Sequence, residues 1–97
     1  MQREFVINRL REHEADLKRL GVERLFLFGS TARENANEDS DVDLFFDYKK
    51  GSLGLLALME LKERAAIILG RPADIMTRDS IHPVLRTRIE QSAIIVF

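Results

Sequence analysis

The sequence contains no cysteine and no tryptophan, only two histidines and two prolines, and a single tyrosine. Without cysteine there is no disulfide framework and no thiolate metal or redox site, which fits a reducing compartment. His13 and His82 are too few for an all-histidine zinc site. No run approaches the roughly 18 apolar residues of a membrane span. The first residues, MQREFVINRLREHEADL, are charged from the third position on and have no apolar stretch suited to a signal peptide. The chain is therefore expected to be soluble and cytoplasmic, with no membrane partner. There is also no excess of one charge. Fifteen basic and 16 acidic side chains give a net charge of -1, so no basic face is at hand to neutralise phosphates and no direct nucleic-acid binding is expected.

What is present fits one folded domain over residues 1–97. The chain is 45% hydrophobic and 32% charged, enough for one modest core and outside the composition of disorder. The charges are unevenly placed. Residues 1–20 carry five basic and four acidic groups, whereas residues 33–47 carry one basic group, Arg33, against six acidic ones, a local net charge of -5.

Val6, Leu10, Leu17 and Leu20 recur at helical spacing, with His13 in the remaining slot, which predicts one amphipathic helix over 2–20 ended by Gly21. Val22 to Phe28 reads as an apolar strand broken by Gly29-Ser30, and a short helix begins near Thr31. Asp41 to Tyr48 alternates, with Val42, Leu44, Phe46 and Tyr48 on one side and Asp41, Asp43, Phe45 and Asp47 on the other, which predicts a strand. Leu53 to Leu69 reads as a helix stopped at Gly70. A strand follows over Pro72 to Thr77, then a helix over 82–92 that tolerates Pro83 in its first turn. Ala93 to Phe97 closes the sequence as a fourth apolar strand, buried or part of an interface. This order predicts an α/β (α+β) domain, a small mixed sheet of about four strands flanked by helices.

Two short segments carry chemistry when taken together. Gly29-Ser30 after a strand can be a plain turn and helix cap, or its free N–H groups and hydroxyl can receive a phosphate. Asp41 and Asp43 lie two apart on a strand, so both carboxylates point the same way, with α-carbons about 6.5–7 Å apart. Two anions facing one spot repel. Solvation at a loop edge relieves this, as does magnesium, which is held by one or two carboxylates together with substrate phosphates. An EF-hand loop starting at Asp39 fails, because positions six and twelve are Leu44 and Lys50 rather than glycine and glutamate. Neither a P-loop nor a G-x-G-x-x-G turn is present. Asp74 stands in a short apolar strand, where a carboxylate needs exposure at an edge, a partner such as Arg71, or a metal.

Gly29-Ser30, ten intervening residues, Asp41-Val42-Asp43 and a later strand carrying Asp74 together resemble the signature of the DNA polymerase β-type nucleotidyltransferase superfamily. In particular, GSTARENANEDSDVDLFF resembles the minimal nucleotidyltransferase (MNT) domains that accompany HEPN proteins as antitoxins. The resemblance runs from the leading helix to the closing HPVLRTRIEQSAIIVF. It implies the nucleotidyltransferase fold and the transfer of AMP from ATP to an acceptor hydroxyl, with two Mg²⁺ ions about 3.5–4 Å apart. By the same resemblance, Asp41, Asp43 and Asp74 hold metal and are catalytic, Asp74 helping to deprotonate the acceptor. Gly29, Ser30 and Arg33 bind the nucleotide. Arg33 has the alternative of a surface pairing with Glu34, Glu38 or Asp39. One departure is Glu34, where the family often has glycine.

The implied partner is a HEPN ribonuclease toxin modified on a tyrosine, which would supply the acceptor that so short a chain leaves little room to recognise by itself. The runner-up reading is a catalytically weak MNT-fold module that neutralises its partner by covering it. Transfer to a small molecule ranks last, and an oligomer remains open.

Overall fold

The computed structural model describes residues 2–32, 41–49, 51 and 53–97. The elements run α1 (Arg3–Glu12), α2 (Glu14–Arg19), β1 (Val22–Phe28), α3 (Gly29–Ala32), β2 (Val42–Tyr48), α4 (Leu55–Leu69), β3 (Ala73–Thr77), a 3₁₀ turn (Arg78–Ser80), α5 (Pro83–Ser92) and β4 (Ile94–Ile95). The strands form one mixed sheet in the order β3-β2-β1-β4. β1 is antiparallel to β2 and β4, whereas β2 and β3 run parallel. Parallel neighbours need a crossover, and α4 supplies it.

The alternation of β2 divides the core between the two sheet faces. Val42, Leu44 and Phe46 join Leu25, Leu27 and Ile75 on one face, packed under Val6, Leu10 and Leu17 of α1 and α2 and under Leu61, Ala65, Ile68 and Leu69 of α4. Phe45 turns to the other face, where Phe28 and Ile81 form a smaller cluster with Phe26, Met76, Ile89 and Ala93. Between Val22 and Arg24 the register of β1 shifts. The extra residue lets Val22 share the first face with Leu25, although strict alternation would put them on opposite sides.

The leading helix is broken where the stripe of apolar residues predicted continuity. His13 leaves helical geometry at φ -110° and ψ 20°, and its Nδ1 lies 2.9 Å from the Arg9 carbonyl, so the ring occupies a carbonyl at the end of α1. The stripe survives the break, since Val6, Leu10 and Leu17 are all buried. The arginines of α1 reach other elements: Arg3 donates to the Ala32 carbonyl at 3.1 Å, Arg9 to that of Ile68 at 3.1 Å, and Arg11 to that of Val96 at 2.6 Å. These carbonyls lie at the C-terminal ends of α3 and α4 and just past β4, so the arginines tie α1 to three other elements.

Gly70 ends α4 in the left-handed region at φ 69°, and its N–H donates to the Ala66 carbonyl at 2.8 Å. α5 begins with Pro83, and the His82 ring accepts the Val84 N–H at 3.2 Å, an imidazole serving as N-cap. The last strand is shorter than its apolar run: the ladder holds only Ile94 and Ile95, with Val96 buried and Ile95 half exposed.

Because Leu44 is fully buried between β1 and the helices, Leu44→Ala should lower the free energy of urea unfolding by about 2–5 kcal/mol. Leu85, placed on the apolar side of α5 by spacing but 48% exposed, should change stability by no more than about 0.5 kcal/mol when replaced by alanine.

Candidate active site

β1 delivers the chain to a tight point of approach. Its last residue, Phe28, lies opposite Asp43 in the antiparallel ladder. The next residue, Gly29, takes φ +77° and opens α3. A β-carbon at position 29 would overlap the Oδ2 atom of Asp43 and lie 3.1 Å from its carboxyl carbon and 3.2 Å from its Cβ. The Asp43 carboxylate therefore rests on the glycine itself. Both the positive φ and the close approach require glycine.

β2 then sets the second carboxylate. In its parallel pairing with β3, Asp43 lies beside Asp74. Side-by-side residues of neighbouring strands project to the same face, with strands about 4.8 Å apart. A hydrogen bond from Val42 N–H to the Pro72 carbonyl, 3.3 Å, holds this end of the pair. Asp43 is half-buried and Asp74 exposed on the edge strand. Asp41, exposed just ahead of β2, falls on the side of Asp43 when the alternation is carried back two residues.

Beneath these groups the sheet face is aromatic. The rings of Phe26 and Phe45 stack at 4.8 Å, and Phe28 meets Phe45 at 5.6 Å. This strip stiffens the floor on which Asp43 stands.

Sequence reasoning placed Gly29, Asp41, Asp43 and Asp74 in one site, and the structure brings all four to one end of the sheet. Ser30 is the second residue of α3, so its backbone shares that end. Arg33, together with Glu34, lies outside the described residues. Among the described residues no three carboxylate or imidazole groups close around a cation position, so the acidic groups form an open arrangement, Asp43 beside Asp74 with Asp41 at the rim. Hard oxygen donors on adjacent strands, open to a ligand that brings its own phosphates, suit magnesium, which rarely takes an all-protein cage.

A second polar cluster, at the far end of β2 and β3, gave no sequence signal beyond its residue types. Arg78 donates to both oxygens of Asp47, at 2.7 and 3.0 Å, and to Glu90 of α5 at 2.8 Å. Its guanidinium lies 4.8 Å from the Phe26 ring centre and 5.1 Å from that of Phe45. The hydrogen bond to Asp47 is the main reason its pKa is raised. Tyr48 Oη donates to Asp79 Oδ2 at 3.0 Å. Asp79 is held below the usual carboxylate range, first by the Thr77 hydroxyl and then by Tyr48. Tyr48 is pushed up in turn by the same carboxylate. Phe46, Asp47, Tyr48, Arg78, Asp79 and Arg86 line an open cleft of about 370 Å³ there.

The nucleotidyltransferase domain family model matches residues 10–96. A relative from Methanocaldococcus jannaschii, assigned by inference as a protein adenylyltransferase, is 40% identical over 74 residues, 76% of this chain and 78% of that one. The protein adenylyltransferase MntA of Thermococcus cleftensis is 37% identical over 73 residues, covering 74% of this chain and 73% of its own. Among solved structures, one described by inference as a minimal nucleotidyltransferase superposes with a TM-score of 0.84 at 34% identity, covering 97% of this chain and 95% of that one. The complex of a tri-AMPylated Shewanella oneidensis HEPN toxin with its MNT antitoxin gives a TM-score of 0.68 at 18% identity, covering 99% of this chain and 72% of the other. At that identity the likeness is of fold alone.

Gly29→Ala should destabilise the protein by more than about 1 kcal/mol, and a double-mutant cycle with Asp43→Ala should show coupling of about 0.5–3 kcal/mol by urea unfolding. Independent effects would contradict the contact.

For the far cluster, the lowered Asp79 pKa stabilises the fold above its unfolded value and is lost as pH falls through the folded one. The raised Tyr48 pKa stabilises below the unfolded value and is lost as pH rises through the folded one. Tyr48→Phe and Thr77→Val should each move the Asp79 carboxyl titration upward in NMR, Thr77→Val the further of the two.

Proposed function

The chain belongs to the nucleotidyltransferase domain family, and from that premise we propose that it transfers AMP from ATP to a tyrosine hydroxyl of a HEPN-type toxin, acting as the antitoxin. The observation that carries this reading is the placement of Asp43, resting on Gly29 and beside Asp74. A nucleotide gripped at the start of α3 would bring its α-phosphate to the carboxylates, because Gly29 opens that helix directly against the Asp43 carboxylate.

Asp41, Asp43 and Asp74 would hold the magnesium. Bound there with the nucleotide, it would supply charge stabilisation for the attacking and leaving oxygens of an in-line displacement. The acceptor oxygen attacks the α-phosphorus, and pyrophosphate leaves from the opposite side. Asp74 would accept the hydroxyl proton of an acceptor arriving from outside the sheet, a role supported by its exposure on the edge strand. The local -5 charge of residues 33–47 would repel a bare triphosphate and favour it in company with cations.

The MNT antitoxin of Shewanella oneidensis occurs in a complex whose toxin is tri-AMPylated, which supports a protein acceptor for this chain as well. Arg33 is proposed as a phosphate contact on the resemblance alone.

After incubation with ATP and magnesium, intact-mass measurement of the cognate toxin should show the addition of AMP, localised to a tyrosine. Asp43→Asn should slow this by at least about 10²-fold, since even outer groups of metal sites cost 10–100-fold. An authentic partner left unmodified by folded protein would overturn the transferase reading, and toxin neutralisation undiminished in Asp43→Asn would support occlusion in its place.

A further inference from the structure

The chemistry that makes a tyrosine a good acceptor is present on this chain's own surface. Tyr48 is its single tyrosine. The hydroxyl is exposed at the end of β2 and donates to Asp79 Oδ2 at 3.0 Å. That carboxylate is fixed on the 3₁₀ turn after β3 and accepts further from Thr77. The cleft beside the phenol is lined by Arg78, which is paired with Asp47 and Glu90, and by Arg86. Arg86 is anchored by the Asp79 and Ile81 carbonyls, each 3.2 Å away. A nucleophilic oxygen, an anionic proton acceptor and the positive charge of Arg86 thus stand together. Nothing in the nucleotide site at the other end of the sheet requires them.

We propose that Tyr48 is itself an AMP acceptor, modified in trans by a second copy of the chain. The proposal rests on the adenylyltransferase reading above. Transfer within one molecule is excluded by geometry. Tyr48 lies five residues beyond Asp43 on β2, about 16–17 Å along the strand, and its ring packs against the opposite sheet face, with Val42, Leu44 and Phe46. In trans, Tyr48 Oη attacks the α-phosphorus of ATP held by the other copy. The Oη–P bond forms, the bond from the α-phosphorus to the bridging oxygen breaks, and pyrophosphate leaves with the electron pair. The phenol proton passes to Asp79 Oδ2 and then to water. Asp79 is ionised at neutral pH and the phenol is not, so the proton leaves during attack rather than before it.

The purified chain, alone and with its toxin partner, is incubated with ATP and magnesium, digested, and its Tyr48 peptide weighed. AMP on that peptide in both reactions is the expected result. Tyr48→Phe keeps the ring and removes the acceptor, so it should lose self-modification while still modifying the toxin. Asp79→Asn should slow modification of Tyr48 by at least about 10²-fold and leave toxin modification unchanged. Mixing Asp43→Asn, which retains the acceptor, with Tyr48→Phe, which retains the donor, should label the Asp43→Asn chain. A modified toxin with unmodified Tyr48 overturns the proposal and leaves the transferase reading standing. Neither protein modified overturns both. Self-labelling by wild type without labelling in the mixture overturns transfer in trans.

Discussion

The register of β2 is the constraint on which the rest depends. The strand lies between an antiparallel neighbour and a parallel one, and each pairing contributes one half of the site. Through β1 it sets Asp43 opposite Phe28 and over Gly29, and through β3 it sets Asp43 beside Asp74. A slip of one residue on either side would also turn Val42, Leu44 and Phe46 out of the main core, because side chains alternate with a period of two. The free energy of burying three large apolar side chains, about 1.5–3 kcal/mol each, therefore holds the carboxylates in place. Packing on one face of the sheet fixes chemistry on the other.

The two faces are built unequally. The face toward α1, α2 and α4 is a continuous aliphatic core. The other carries a narrow aromatic strip with α5 laid along part of it, and its two ends are polar. At one end lie the acidic groups, and at the other Arg78 joins β2, the turn after β3 and α5 through Asp47 and Glu90. The guanidinium is flanked by aromatic rings and partly shielded, so this cluster fastens the thin face more firmly than an exposed pair would.

Much of this was legible in the sequence. The strand limits of β1, the two-sided pattern of β2, the glycine stop of α4 and the proline start of α5 follow from local rules. Those rules act over a few residues, and here the tertiary packing agrees with them. Less legible were features that involve distant partners. The break at His13 arises where the ring takes the Arg9 carbonyl, although the apolar stripe runs through it unchanged. The register shift near Val22 reflects the demand that Val22 and Leu25 share a face. The last apolar run keeps a regular ladder over Ile94 and Ile95 only, and beyond it Val96 and Phe97 reach β1 through Leu25 alone among the described contacts.

The site divides along the same line. Residue type and spacing alone determined that Gly29-Ser30 ends a strand, that Asp41 and Asp43 share a side, and that Asp74 is costly in an apolar strand unless something recruits it. Only the tertiary structure decided that Asp74 stands beside Asp43, since the parallel pairing of β2 with β3 joins residues 31 positions apart that no local pattern connects. Only the structure, again, showed that Gly29 is required by the carboxylate resting on it as well as by the turn it makes. A sequence records which groups are available, whereas close approach between distant groups is set by how the sheet packs.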